Sequence, residues 1–188
     1  MHRFFILVVA GMTASASAFA DDHARLHGTY AFTGVSLCIR DSASLGFDPN
    51  FAAKGRVKLF SYTVEGIAVF HADGTGTSNS RAYSVDTGGG ETSDSSFQFT
   101  YTIGPDGKLS VKAVPGTFTD TILTGPIAGL TQVVDVADVS GFISEGSRSI
   151  TLAPSAPTVL MVTRSDGGQY AQICNQSRTH IRISGDDR

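Results

Sequence analysis

This chain predicts an all-β fold: a single antiparallel up-and-down β-barrel, a meander of about eight to ten strands. Three observations carry the prediction. Apolar and polar residues alternate with period two through run after run, the mark of strands with one buried face. A residue-x-x-Asp-Gly pattern follows a candidate strand three times, at residues 70–74, 103–107 and 163–167. Two cysteines, Cys38 and Cys174, lie near opposite ends of the mature chain. Neighbouring strands joined by tight turns make a meander, and closure into a barrel removes its edges. A β-sandwich is the alternative for the same strands, connected through Greek keys.

Residues 1–20 read as a secretory signal peptide. His2 and Arg3 give a short basic start, residues 4–10 an apolar stretch, and Ala18-Phe19-Ala20 a small-x-small cleavage site. The apolar stretch is far shorter than the roughly 18–20 residues that a spanning helix requires. The sequence therefore predicts an exported protein, periplasmic or extracellular, with one barrel domain over 21–188.

In the mature part, Gly28, Tyr30 and Phe32 share one face of a first strand that ends near Cys38. Residues 41–54 break the alternation and form a long loop carrying Phe47 and Phe51. Ile67, Val69 and His71 then alternate with Ala68 and Phe70, and the turn at Asp73-Gly74 pairs residues 62–71 with 75–84. Thr87 to Asp94, with Gly88-Gly89-Gly90 inside it, reads as a loop. Phe97, Phe99 and Tyr101 face one way, Gln98, Thr100 and Thr102 the other, and Asp106-Gly107 turns this run back onto Leu109, Val111 and Ala113. Pro105 suits the first central position of that turn, because its fixed φ is already correct there. Phe118, Asp120 and Ile122 share a face; runs at 133–139, 149–152, 158–163 and 169–173 complete the strands, with Asp166-Gly167 joining the last two.

Composition removes several function classes. Lys and Arg total 14 against 17 Asp and Glu, for a formal charge of −3, and loss of Arg3 with the leader makes the mature chain more acidic still. A mildly acidic chain with no basic run is a poor partner for nucleic acid or anionic lipid. Membrane insertion is not expected: no later stretch suits a helix, and the absence of tryptophan and of an aromatic girdle speaks against an outer-membrane barrel. An even cysteine count in an exported chain predicts a Cys38–Cys174 disulfide, placed where first and last strands meet. Two cysteines with no CxxC, HxH or HExxH motif predict no metal site.

Chemistry-bearing motifs are sparse. His71 lies two residues from Asp73 but at a strand end with no nucleophile placed beside it, so it reads as a rim histidine. His23 and His27 flank Arg25 in an exposed N-terminal segment. Asp73, Asp106 and Asp166 lack the ligand spacing of a calcium loop and serve their turns. No P-loop lysine follows the triple glycine. Asp120 shares parity with Phe118 and Ile122, so it is either a buried acid with a raised pKa or a partner, or a residue turned outward by a bulge. Asn175-Gln176-Ser177 matches a glycosylation sequon by three residues only. Neither a catalytic set nor a cofactor is implied.

Gly28-Thr29-Tyr30 resembles the Gly-x-Trp opening of the calycin group, which includes the lipocalins, with Arg178 or Arg182 standing for the basic residue of their last strand. Residues 66–76 are similar to a strand-and-turn signature of secreted bacterial β-barrel proteins of unknown function. The resemblance implies a small ligand-binding barrel. The expected function is thus non-enzymatic binding of a small apolar ligand in the barrel or at its mouth, with Tyr30, Phe32, Phe97, Phe99 and Tyr101 lining the cavity or packing its floor, Asp120 among the ligand-binding residues, and Phe47 and Phe51 as a lid. The alternatives are a structural or surface-interaction module with a filled core, and a small cyclase- or isomerase-like barrel enzyme using Asp120 or His71. The oligomeric state is left open.

Overall fold

The computed structural model describes residues 26–41 and 46–184. The expected signal peptide at 1–20, His23, Arg25 and residues 42–45 of the long loop lie outside the described residues. Alternation of Tyr30, Phe32, Ser36 and Cys38 with outward residues makes β1 (Gly28–Asp41). It pairs along its whole length with β2 (Val57–Phe70) on one side and β11 (Gln169–Ser184) on the other. β3 (Thr75–Asp86) and β4 (Gly89–Ile103) continue the wall beyond β2. These five long strands form one side of an antiparallel barrel.

The other side is divided into two tiers. One end of β4, Phe99–Ile103, pairs with β5 (Lys108–Ala113); its other end, Ser93–Ser96, pairs with β6 (Thr119–Ile122). β11 divides in the same way, with residues 178–181 on β9 (Ser149–Pro154) and 169–173 on β10 (Val159–Arg164). β8 (Val139–Ile143) joins β5 to β9, and β7 (Thr131–Val134) joins β6 to β10. The five long strands therefore close twice, through β5-β8-β9 at one end and through β6-β7-β10 at the other, and each closure is a ring of eight. Pairing follows chain order from β1 to β5; after that the chain crosses between tiers at 114–118, 135–138 and 155–158.

The three Asp-Gly hairpins are present. Gly74, Gly107 and Gly167 have φ of 84°, 74° and 86°, the left-handed region that glycine enters without a Cβ penalty. Each donates its N–H to the carbonyl three residues back, at 3.1, 2.9 and 3.0 Å. Asp73, Asp106 and Asp166 each accept from the backbone N–H two residues on, at 2.9, 3.1 and 3.0 Å, which explains those aspartates as turn residues. Cys38 and Cys174 face each other in register and are bonded, with Cα atoms 4.1 Å apart and a sequence separation of 136.

Two expectations need correction. The run 133–139 is not one strand: β7 stops at Val134 and β8 starts at Val139. Between them the chain crosses from one tier to the other; the Asp135 N–H still donates to the Met161 carbonyl of β10 at 3.0 Å, and the strand pairing resumes at Val139. Gly88-Gly89-Gly90 is not a free loop either. Thr87-Gly88 is a two-residue turn, and β4 begins at Gly89. Cross-strand contacts supply there what local propensity lacks: Arg81 donates to both carboxylate oxygens of Asp94 at 2.7 and 2.9 Å, and Lys58 pairs with Asp86 at 2.5 Å.

The end closed by β5, β8 and β9 is filled. Tyr30, Phe70, Phe99 and Tyr101 cluster edge to face, with ring centroids of Tyr30, Phe99 and Tyr101 at 5.3, 5.0 and 5.3 Å from Phe70. Leu26, Leu109, Ile150 and Leu152 complete this core. Two hydroxyls are satisfied inside it: Tyr30 Oη donates to the Ser147 carbonyl at 2.8 Å, and Tyr101 Oη sits 2.6 and 2.5 Å from the carbonyls of Leu26 and His71. Burial pushes the Tyr101 phenol up to about 12, so it remains a donor. Arg182 stands directly across from Tyr30 on β11. Close approach of backbone is built in with glycine: a Cβ on Gly76 would strike the Phe99 ring, and one on Gly66 would come within 2.8 Å of Phe32 Cζ.

Candidate functional site

Past Phe97 the inward positions change character. On β3 and β4 they become Ser80, Ala82, Ser84, Ser93 and Ser95, side chains too short to reach the barrel axis. The wall recedes and leaves a chamber of about 120 Å3 in the end closed by β6, β7 and β10. A water requires about 10–15 Å3 of such space, so the chamber has room for a ligand of roughly ten heavy atoms. Phe97, Val136, Ala137, Gln176 and Arg178 line both this chamber and a void of only 40 Å3 beside the core, and so form the waist between the two ends.

β1, β2 and β11 supply long side chains. Arg40 projects inward with its guanidinium carbon 4.6 Å from the Phe60 ring centre and 3.9 Å from that of Tyr170. This is a cation held against two aromatic rings. Its Nε is buried and has no hydrogen-bond partner. Gln176 Oε1 accepts from Tyr62 Oη at 3.3 Å and from Arg178 Nη2 at 3.4 Å, while Arg178 Nε is buried without a partner. Gln172 lines the same wall.

Asp120 is inside. It is 5% exposed, and burial holds its carboxyl above the ordinary carboxylate range against opposing hydrogen bonds from Gln132 and Ser93. Gln132 Nε2 donates to Asp120 Oδ2 at 2.6 Å, and Tyr170 Oη donates to Gln132 Oε1 at 3.0 Å. The chain Tyr170–Gln132–Asp120 runs from the arginine wall to the acid. In the ring β1-β2-β3-β4-β6-β7-β10-β11, β6 is four strands from β1 in either direction, so Asp120 and Arg40 stand on opposite walls.

His180 sits in the core beyond the waist, packed at a tilt on Phe32 with ring centres 4.8 Å apart. Burial and then the charge of Arg178 pull its pKa down to about 4, so the ring is neutral at physiological pH, with Nδ1 unpartnered.

The residues expected to form the site divide between the two ends. Tyr30, Phe32, Phe99 and Tyr101 are packed in the filled end. Phe97 lies at the waist and Asp120 in the chamber. Phe47 is buried and bridges to Ala53; Phe51 is exposed, with φ of 65°. Their loop docks beside Ala171 at the chamber end of the barrel, but neither ring lines the chamber. His71, at the tip of β2, is at the far end from Asp120. Among the described residues no group of three or more His, Cys, Asp or Glu side chains is placed to hold a metal.

Arg40, Phe60, Tyr62, Gln132, Tyr170, Gln172, Gln176 and Arg178 were not singled out for this site by sequence reasoning. A signal for several of them exists in the cysteines. A disulfide between paired strands closes on one face, so residues of the same parity share it: Arg40 with Cys38, and Tyr170, Gln172, Gln176 and Arg178 with Cys174.

No protein-family model, no curated protein and no solved structure matches this chain.

Proposed function

We propose that this chain is an exported, non-enzymatic, lipocalin-like barrel that binds a small molecule in the chamber beneath the waist. The observation that supports the reading is the unequal interior. One end is filled with large rings, and the other keeps a chamber lined by short serines, by rings for an apolar body (Phe60, Phe97, Phe118), and by a few convergent polar groups. That composition is the usual one for a small-molecule site. The ring of eight, the Cys38–Cys174 bond and the juxtaposition of Tyr30 with Arg182 support the calycin-like reading. Asp120 has hydrogen-bonding partners but no histidine in the chamber lining, which weighs against the acid–base enzyme.

The test is native mass spectrometry of mature, oxidised protein purified from an exporting host, beside a chamber-filling Ala82→Leu variant. The reading expects a small-molecule adduct on the wild type that the variant lacks. Wild type free of adduct, and showing no thermal shift with a library of small aromatic and aliphatic compounds, sinks it.

A second reading, a surface-interaction module, is favoured by the outward faces of β1, β2 and β3, where Val35, Leu37, Leu59 and Val85 are each more than half exposed. Light scattering across a concentration series tests self-association through that face.

A further inference from the structure

We propose that the chamber's ligand is a compact organic acid with a flat body, its carboxylate seated on the in-plane edge of Arg40. This rests on the chamber being a ligand site and names the class of ligand.

The argument begins with donors. Phe60 and Tyr170 both stand against the Arg40 guanidinium, whose hydrogen bonds leave in its own plane. Its Nε is buried and without an acceptor, and Arg178 Nε is in the same condition. Arg178 has one long contact, 3.4 Å to Gln176 Oε1, an oxygen it shares with Tyr62. A buried guanidinium Nε–H without an acceptor is uncommon, because its desolvation is then uncompensated.

No carboxylate of the described residues accepts from either Nε. Asp86 pairs with Lys58 at 2.5 Å. Asp120 is on the opposite wall, held by Gln132 at 2.6 Å. Glu91 on β4 and Asp135 after β7 also line the chamber, from elements other than β1 and β11. The chamber is therefore polarised: cations on β1 and β11, acids on β4, β6 and the 135–138 crossing. A bound carboxylate is drawn to the cationic wall and repelled from the other, which fixes its orientation.

The remaining lining describes the rest of the ligand. Phe60, Phe97 and Phe118 offer ring faces and edges between the two walls. Space for roughly ten heavy atoms excludes a long acyl chain and suits an aromatic or similarly flat acid. Asp120 and Gln132 are placed to meet a hydroxyl or amino substituent at its far end.

The experiment is calorimetric titration of the mature, disulfide-bonded protein with benzoate and with its neutral isostere benzamide. Wild type is expected to take benzoate at least about tenfold more tightly than benzamide. Arg40→Met, which keeps a long apolar stem against the two rings, is expected to remove that preference while benzamide still binds. Equal affinity of the wild type for the two probes overturns the anion assignment and leaves the chamber as a neutral site. Binding of neither probe overturns this proposal, and the adduct search on purified protein then decides separately whether the chamber is a site at all. The wild-type comparison needs no variant, so it stands even where Arg40→Met does not fold.

Discussion

His180 links the interior to acid stability in a way that can be measured. Its pKa falls from the ordinary 6.5 to about 4 in the folded protein, first through burial and then through Arg178. In the unfolded chain it titrates normally. Below about pH 6.5 the unfolded state therefore binds a proton that the folded state refuses, and stability falls with pH. The loss grows through the window from about 6.5 to about 4 and levels off below it. At 1.36 kcal/mol per unit the whole effect is about 3 kcal/mol, a large share of a domain's stability. Asp120 works in the opposite direction, since its raised pKa favours the folded state as pH falls, so the raw pH profile mixes the two. A variant isolates the histidine. His180→Leu keeps an apolar group against Phe32 and removes the titration. Urea denaturation of both proteins at steps from about pH 7.5 to about pH 4 gives their stability difference at each pH. The wild type is expected to lose about 3 kcal/mol relative to the variant across that range. A difference that stays flat refutes the buried neutral histidine, and so does an NMR titration of the His180 ring with a midpoint near 6.5.

Replacing both cysteines with alanine is expected to destabilise the protein by up to about 5 kcal/mol, read as a shift in the urea midpoint; an unchanged midpoint would mean that the loop of 136 residues is already restrained when unfolded. Gly141→Ala is expected to cost about 2 kcal/mol or more, because the new Cβ falls on the Thr151 carbonyl of the neighbouring strand; a melting temperature within a degree or so of wild type would contradict that contact. Asp120→Asn keeps an acceptor for Gln132 and removes the buried charge, so it is expected to stabilise the protein near neutral pH and to lose that advantage as pH falls through the raised pKa of Asp120 and the wild-type carboxyl takes up its own proton. Denaturation at neutral pH and below that pKa checks the sign, and destabilisation at neutral pH refutes it.

Much of the fold was legible in the sequence because the signals were local. Strand alternation from Tyr30 to Phe32 and from Phe97 to Tyr101 reports a buried face directly. The Asp-Gly turns carry their own geometry: glycine takes the left-handed position, and the aspartate caps the turn within two residues. The alternation failed where the stabilising partner was distant. Gly89 and Gly90 have poor strand propensity, yet Arg81–Asp94 and the rest of the β3–β4 ladder hold them in a strand. Residues 133–139 look like one apolar run, but the crossing between tiers leaves four of them outside any strand.

The candidate site was less legible. Aromatic residues of correct parity were expected to line a cavity, and parity did place them inside. Parity does not say how far a side chain must reach to fill the axis. At Tyr30 and Phe99 opposite walls meet; at Ser84 and Ser93 they do not. That difference depends on which residues stand across the barrel, four strands away and distant in the chain. Asp120 is the instructive case. Its inward parity was readable, but its alternatives of bulge or burial were decided by Gln132 and Ser93 on adjacent strands.

By itself, the sequence determined the all-β class, the three Asp-Gly hairpins and the cysteine pair, because each depends on period-two patterning, on φ at a glycine, or on a count of thiols. Only the tertiary structure decided that the five long strands close twice. Short strands with similar alternation can pair with β4 at either end, and the choice rests on contacts between segments far apart in the chain. That double closure places the packed core at one end and a chamber with opposed Arg40 and Asp120 at the other. A charge becomes functional or merely costly according to what faces it, and the facing residue is a property of the closed barrel.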